Sequence, residues 1–262
     1  MGYRHSLLSF ANRTASIAFA FDSRLRLPTL YAGHCIWLSR ESWNTLFSRY
    51  ELYTARAIKD NLSGGDTFCD VGANIGLFSL LASKIVGPSG KVFSFEPSPD
   101  VFNVLIANVR GSSSIHPMHC GVGNADAVAA FAAQGLSNAA SFVEDVTKIN
   151  AASVPSTPVS KIEVKIRKIN SLMKDLSMRP HLVKIDVEGF ELEVLKGGTD
   201  LLSKSRATLI IEIHPPQLKL SGGTEEALFE LLEQHGYAWD VIDRNPNSLY
   251  TIVAKPRRYH SD

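Results

Sequence analysis

What this chain has little of narrows it first. It holds three cysteines in 262 residues, Cys35, Cys69 and Cys120, and no two stand in a C-x-x-C or similar ligand spacing. That argues against a cysteine-built metal site and against a disulfide scaffold. Cys69 and Cys120 sit in apolar strand patterns, so buried free thiols in a reducing compartment are expected. Charge of one sign is also missing: the net value is +1. No basic field points to nucleic acid, and no acidic tail points to a solvating segment. Long apolar runs are absent too. The run at residues 15–21 is far short of the ~20 residues a spanning helix needs. Arg4, His5 and Arg13 precede it in the manner of a signal peptide, but Asp22, Arg24 and Arg26 follow where a small-residue cleavage site belongs. A cytoplasmic protein without an integral membrane segment is the expectation. No internal repeat is present.

At 45% apolar residues, the chain has enough to bury one full core with an appendage. Its organising stretch is Phe68-Cys69-Asp70-Val71-Gly72-Ala73-Asn74-Ile75-Gly76. An apolar run ends in an acid, a glycine turn follows, and an apolar helical pattern continues to Val86. Strand, tight turn and helix in that order suit a nucleoside-cofactor site at the mouth of a parallel sheet. Taken alone, the same residues also suit a plain βα corner.

Before this stretch, residues 1–62 carry no chemical motif and read as a cap or lid. Residues 7–21 have helical character, 24–27 alternate like a short strand, and 51–58 read as a helix stopped by Gly64-Gly65. From 67 the pattern is regular: strands at 67–71, 91–96 and 115–120, with helices at 75–85 and after Ser98, the expected cap. Alternation breaks at 121–170, an insertion rich in Ala, Ser, Asn and Pro. It contains strands at 127–132 and 161–166 and an exposed loop at 151–160. Strands resume at 181–187 and 207–213, with a helix at 190–196 between them. A helix at 224–235 and an antiparallel pair at 239–242 and 249–253 close the chain. The βαβ alternation implies a parallel sheet with right-handed crossovers. The cofactor-binding domain is taken as 63–256.

Ligands of such sheets bind beyond the carboxyl ends of the strands. Asp70, Glu96, Asp186 and Glu212 all fall at or near that edge. A dinucleotide would want G-x-G-x-x-G at the turn. Here Gly72 and Gly76 stand without the third glycine, and Asp70 would repel a pyrophosphate. S-adenosylmethionine, with an ammonium and a sulfonium and no phosphate, suits the place better. Asp70 attracts the ammonium directly or through water, and backbone at Gly72 and Asn74 holds the methionine part. Glu96 lies where a βαβ unit presents an acid to ribose hydroxyls. An NAD(P)-dependent oxidoreductase and a non-catalytic cofactor-binding module stand as alternatives.

The motifs Asp70-Val71-Gly72-Ala73-Asn74-Ile75-Gly76, Phe95-Glu96-Pro97, Lys184-Ile185-Asp186-Val187-Glu188-Gly189-Phe190-Glu191, Leu195-Lys196-Gly197-Gly198 and Ile211-Glu212-Ile213-His214 resemble the FkbM family of S-adenosylmethionine-dependent methyltransferases. Arg49-Tyr50-Glu51 resembles the aromatic-acid element preceding that domain, and Gly121-Val122-Gly123-Asn124 its adenine-side loop. The resemblance implies a class I methyltransferase fold: α/β, Rossmann-like, a mostly parallel seven-stranded sheet with the last strand antiparallel. It implies transfer of a methyl group, usually to a hydroxyl of a sugar or secondary metabolite. It places the cofactor on Asp70, Gly72, Asn74, Gly76 and Glu96.

For catalysis, Asp186 is the first candidate as base or substrate anchor, and His214 the second as base. Glu188 orients substrate or favours the helix N-terminus through its dipole. Asp186, Glu188 and Glu212 have the oxygen ligands magnesium prefers, but no pattern demands a metal, and none is expected. Glu191 and Glu193 are expected on a solvated helix face. The acceptor is a small molecule or a glycan; its identity and the oligomeric state are not legible.

Overall fold

The computed structural model describes residues 26–39, 52–133, 160–244 and 249–257. The helix expected at 7–21, the element Arg49-Tyr50-Glu51, the loop at 151–159 and the turn residues Asn245, Pro246 and Asn247 lie outside them.

The described chain starts with an antiparallel hairpin, β1 (Arg26–Tyr31) and β2 (His34–Ser39), followed by α1 (Leu52–Asn61). Then come β3 (Thr67–Val71), α2 (Leu77–Val86), β4 (Lys91–Phe95), α3 (Pro99–Val109) and β5 (Ile115–Met118). The insertion contributes β6 (Gly121–Val122), β7 (Ala127–Ala133) and β8 (Ser160–Arg167), a separate small sheet in the order β6-β8-β7. After α4 (Ile169–Asp175) the chain forms β9 (Leu182–Ile185), α5 (Glu191–Lys196), a π turn (Leu201–Ser205) and β10 (Thr208–Ile213). It closes with α6 (Pro215–Leu220), α7 (Glu225–Gln234), β11 (Tyr237–Arg244) and β12 (Tyr250–Pro256).

The main sheet has seven strands in the order β11-β12-β10-β9-β3-β4-β5. Strands β10, β9, β3, β4 and β5 run parallel. β12 is antiparallel to both its neighbours, so the last strand is inserted between β10 and β11 rather than added at the edge. This is the α/β, mostly parallel seven-stranded sheet the motifs imply. The chain runs from β3 outward to β5 and returns to β9 on the other side of β3. A doubly wound sheet opens a crevice at that reversal, beyond the carboxyl ends of its strands.

Both faces of the central strands are buried, which is why they read as continuous apolar runs. On one face Phe68, Val92, Leu182 and Ile210 pack against Leu77 and Leu81 of α2, Ala55 and Ile58 of α1, and Ile36 and Leu38 of the hairpin. On the other face Val71, Phe95, Ile185 and Ile211 pack against Leu172 of α4, Leu195 of α5 and Leu228 and Leu232 of α7. Cys69 and Cys120 are buried and unpaired, and Cys35 is exposed.

Two local expectations need correcting. Ser98 occupies the N-cap position of α3, but its hydroxyl makes no capping bond. Its N–H is engaged by Glu96 instead, and Pro99 at the first helical position supplies the helix start. The stretch after His214, left unassigned from the sequence, is the short helix α6, because proline is tolerated in a first turn whose N–H groups lack intrahelical partners. No helix among the described residues is long and apolar enough to cross a membrane.

Candidate active site

The site is built from two rows of residues across the sheet. In the lower row, Ser94, Asp70 and Lys184 are register partners on β4, β3 and β9. Side chains that are register partners point to the same face, here the face covered by α2. Ser79 of α2 donates to Asp70 Oδ2 at 2.6 Å, and its hydroxyl lies 2.7 Å from that of Ser94. Lys184, 3% exposed, is the lysine in an otherwise apolar β9. Its Nζ lies 3.0 Å from Asp186 Oδ2, 3.8 Å from Asp70 Oδ1 and 5.1 Å from the centre of the Phe78 ring. A lysine is almost never buried without a partner; this one joins two acids.

One step further along each strand lies the upper row. The registers Val71↔Phe95, Val71↔Ile185 and Ile211↔Ile185 set Glu96, Gly72, Asp186 and Glu212 side by side at the carboxyl edge. Gly72 has φ +77°, and a Cβ there would stand 1.8 Å from the Asp186 carbonyl oxygen. Glycine is what lets the turn after β3 and the chain leaving β9 meet. The period of two along an extended chain then puts His214 on the side of Glu212.

On the β3–β4 side of the crevice, Glu96 accepts from Asn74 N at 3.0 Å through Oε2 and from Ser98 N at 2.8 Å through Oε1. Burial pushes its carboxyl up to about 7, against the pull of those two N–H groups. The turn's other N–H groups also have acceptors. Gly72 and Ala73 donate to Phe95 O, and Gly76 donates to Ala73 O. Gly76, with φ +86°, is the N-cap of α2, and Asn74 holds φ +50°. Pyrophosphate recognition needs N–H groups aimed at the ligand; here the N–H groups of Gly72, Ala73, Asn74 and Gly76 are engaged internally. At Gly72 and Asn74 the N–H groups are therefore engaged within the turn rather than offered to a ligand.

Of the two ways expected for Asp70 to attract an ammonium, directly or through water, burial closes the first: Asp70 is wholly buried. Burial raises its carboxyl pKa while Lys184 and Ser79 pull it down, and its Oδ1 has no hydrogen bond. What it supplies is negative potential beneath the turn and a hold on Lys184.

On the other side of the crevice stand Asp186, Glu188, Glu191, Glu212 and His214. His214 is 2% exposed. Its Nδ1 lies 2.8 Å from Glu191 Oε1, which also accepts from Gly189 N at 2.9 Å. Its Nε2 stands 3.8 Å from Asp186 Oδ1 and 3.7 Å from Glu188 Oε2. Burial by itself would depress the His214 pKa; Glu191, Glu188 and Asp186 outweigh it and push it up to about 10. Burial would raise Asp186, but Lys184 and His214 hold it below the usual carboxylate range. Asp186 is therefore a weak proton acceptor and a good anchor. Glu188 holds φ +51°, unfavourable for a residue with a Cβ, at the turn completed by Gly189 at φ +97°.

Glu191 overturns its expectation. It is wholly buried, not on a solvated face. It is the first residue of α5, and the Gly189 turn folds its carboxylate back onto the turn's own N–H and onto His214. Glu193 is nearer the expected role, pairing with Lys196 at 2.7 Å and accepting from Asn124 of the insertion. Lys184 was missed from the sequence, although a lysine inside an apolar strand beside an Asp-ending one was the available signal.

A doubly wound sheet with this strand order and a turn not arranged for phosphate has the fold of a class I S-adenosylmethionine-dependent methyltransferase. The family model described as the methyltransferase FkbM domain matches residues 70–238, and the chain belongs to that family. Family membership removes the oxidoreductase and non-catalytic alternatives. The chain is similar to the hexuronic acid methyltransferase AglP of Haloferax volcanii, 32% identical over 176 residues, which are 66% of this chain and 66% of that protein. It is 28% identical over 253 residues to the 31-O-demethyl-FK506 methyltransferase FkbM of Streptomyces tacrolimicus, covering 85% of this chain and 91% of that one. Among solved structures, methyltransferase FkbM from Methylobacillus flagellatus aligns with a TM-score of 0.48 at 15% identity, covering 94% of this chain and 60% of that chain.

Proposed function

We propose that this chain methylates an oxygen of a small molecule or glycan, a hydroxyl of a sugar or secondary metabolite being the acceptor class, in the cytoplasm. The observation that carries the reading is the upper row, in which Glu96 and Asp186 flank Gly72 at the switch point and Glu212 and His214 continue it. S-adenosylmethionine, when bound, supplies a methyl group on a positively charged sulfur. The residues fit a cation that carries ribose: Glu96 faces the ribose position, and Asp70, Asp186 and Glu188 make the field negative.

In this reading Glu96 accepts the ribose hydroxyls. Each of its oxygens has one N–H partner, and a carboxylate oxygen can accept a second bond. The turn from Gly72 to Gly76 fixes where the methionine part lies. Asp186, tied to Lys184, anchors the acceptor. Glu188 is the group placed to take the acceptor proton, which leaves as oxygen bonds to the methyl carbon. His214, with its pKa pushed up to about 10, is protonated at neutral pH and would hold the acceptor as a donor rather than act as the expected base. Orientation by these groups can contribute several kcal/mol to the rate. Residues 26–39 and α1 belong to the N-terminal cap; Tyr31 of the hairpin packs edge-on against Phe78, whose ring lies beneath Lys184. The names of the two relatives, one a hexuronic acid and one a demethylated FK506 methyltransferase, support an oxygen acceptor on a sugar or metabolite.

The test begins with thermal stabilisation. S-adenosylhomocysteine at about a hundred times its dissociation constant should add about 2.7 kcal/mol of stability, and NAD should add none. A methyl-transfer screen over sugar, uronic acid and macrolide acceptors then follows, with Asp186→Asn as the control that loses turnover. Stabilisation by NAD alone would overturn the assignment, and undiminished turnover in Asp186→Asn would overturn the anchoring role of Asp186.

A further inference from the structure

The acceptor side of the site has a feature that methyl transfer by itself does not require. Asp186, Glu212 and His214 each offer one ligand atom, and these atoms all lie within 4.8 Å of one another. The sheet explains why. The β9–β10 register brings Asp186 beside Glu212, and the step of two residues from Glu212 to His214 keeps the imidazole on the same side. Donor atoms sharing one ion stand roughly 3–4 Å apart when each bond is about 2.0–2.2 Å, which small side-chain adjustments reach from here.

An independent observation comes from the histidine. Its side chain is 2% exposed, and Glu191, outside the trio, holds Nδ1 at 2.8 Å. That contact turns Nε2 toward the carboxylates, yet Nε2 stays beyond hydrogen-bond distance of them: its nearest acidic oxygens stand at 3.7 and 3.8 Å. A histidine meant only to pair with these acids would close to hydrogen-bond distance, as Nδ1 does on Glu191. A carboxylate holding one ring nitrogen so that the other faces an oxygen-rich space is the usual support of a metal-binding histidine.

We propose that Asp186, Glu212 and His214 Nε2 bind one divalent cation, and that the ion's remaining positions take the oxygen of the methyl acceptor. The second half of this statement rests on the O-methyltransferase reading above; the first does not. Two carboxylates and one imidazole make a mixed oxygen and nitrogen set, which suits manganese or a similar first-row ion better than calcium. With Nε2 committed to the ion, Glu188 is the group left to take the acceptor proton. Lys184, on the other oxygen of Asp186, fixes that carboxylate so that Oδ1 faces the ion.

The experiment uses the full chain, freed of metal by chelation, with manganese(II) as the probe. Electron paramagnetic resonance should show one tightly bound ion per chain. Electron spin-echo modulation should show a directly bound nitrogen. Glu212→Gln should weaken binding at least tenfold, and His214→Gln should abolish the nitrogen signal. Thermal stabilisation by S-adenosylhomocysteine, measured on the same samples, tests the cofactor half separately. A wild-type chain that binds the cofactor product but shows no stoichiometric manganese overturns the ion site and leaves the methyltransferase reading standing. Bound manganese without nitrogen coupling, or with affinity unchanged in Glu212→Gln, also overturns it. If Glu212→Gln does not fold, the wild-type nitrogen signal decides.

Discussion

On the β3–β4 side of the crevice, Glu96 holds Asn74 N at 3.0 Å and Ser98 N at 2.8 Å, and the turn amides beside it are engaged as well. On the β9–β10 side, His214 Nε2 stands 3.7 Å and 3.8 Å from the nearest acidic oxygens. Both sides lie at the same edge of the same sheet and carry the same kinds of side chain. They differ in how closely the groups facing the crevice are engaged: at hydrogen-bond distance around Glu96, at the longer distances of ion pairs around His214 Nε2. The first side is closed by backbone hydrogen bonds and has one shape, which suits a cofactor common to a whole enzyme class. The second is held from behind, by Glu191 and Lys184, and keeps His214 Nε2 beyond hydrogen-bond distance of Asp186 and Glu188, which suits an acceptor that differs between relatives. Preorganised groups aimed at a reacting centre lower its barrier without reorganising during the reaction. Here that preorganisation is supplied one layer below the surface of the site.

Lys184 joins the two sides, so removing it should have the largest effect. Lys184→Met keeps the packing on Phe78 but strands the wholly buried Asp70 without a cation and leaves the half-buried Asp186 with His214 alone. Breaking a buried pair costs about 3–5 kcal/mol, and urea unfolding should show a loss of that size. Adding Asp70→Asn should return part of it, because the second change removes the stranded charge. A loss below about 1 kcal/mol in the single variant would mean that the lower row does not join the two sides.

Glu191 tests whether the acceptor side is positioned from behind. Glu191→Gln keeps the size of the side chain and removes its charge. Loss of a partner that orients a functional histidine typically costs about 10–100-fold in activity or metal affinity. Turnover should fall by that factor, while the dissociation constant for S-adenosylhomocysteine should stay within about twofold, since that ligand belongs to the other side. The Nδ1 proton resonance of His214, shifted downfield by its carboxylate partner, should move upfield. Equal losses on both sides would show that the two are one unit.

The two sides were also unequally legible in the sequence. Glycine turn, terminal acid and the spacing to Glu96 are local features, and each follows from the geometry of one βα unit. The strand bounds of β3 and the order of the elements followed from the same periodicity. Glu191 was misplaced because helical spacing says nothing about a side chain that folds back over the turn preceding its helix. Lys184 was missed because its partners, Asp70 and Asp186, are identified by strand register. Register between β3 and β9 brings together residues 114 positions apart (Asp70 and Lys184), and no window of sequence contains both. The cap residues before 62 were read as an appendage because their apolar positions, Ile36, Leu38 and Ile58, are too few to announce which face they cover.

Glu96 gives the smallest effect and the sharpest separation of the sides. Its folded pKa is raised from 4.5 to about 7 by burial. A raised carboxyl binds a proton more tightly in the folded chain than in the unfolded one. Its contribution to the stability of the ligand-free protein is therefore full below pH 4.5 and is lost as the pH rises through about 7. Accepting two ribose hydroxyls favours the ionised form, so cofactor binding opposes that trend. Affinity for S-adenosylhomocysteine should fall about tenfold for each pH unit below 7, down to a plateau. Glu96→Gln should bind weakly and without this pH dependence. Without ligand it should melt above the wild type at pH 8 and lose that advantage toward pH 5, because only the wild type carries a buried charge at the higher pH. His214 lies across the crevice, and His214→Gln should leave the Glu96 profile in place. A wild-type affinity that is flat from pH 6 to 8 would show that Glu96 is already ionised in the ligand-free site. The closed side would then owe its shape to the backbone hydrogen bonds alone.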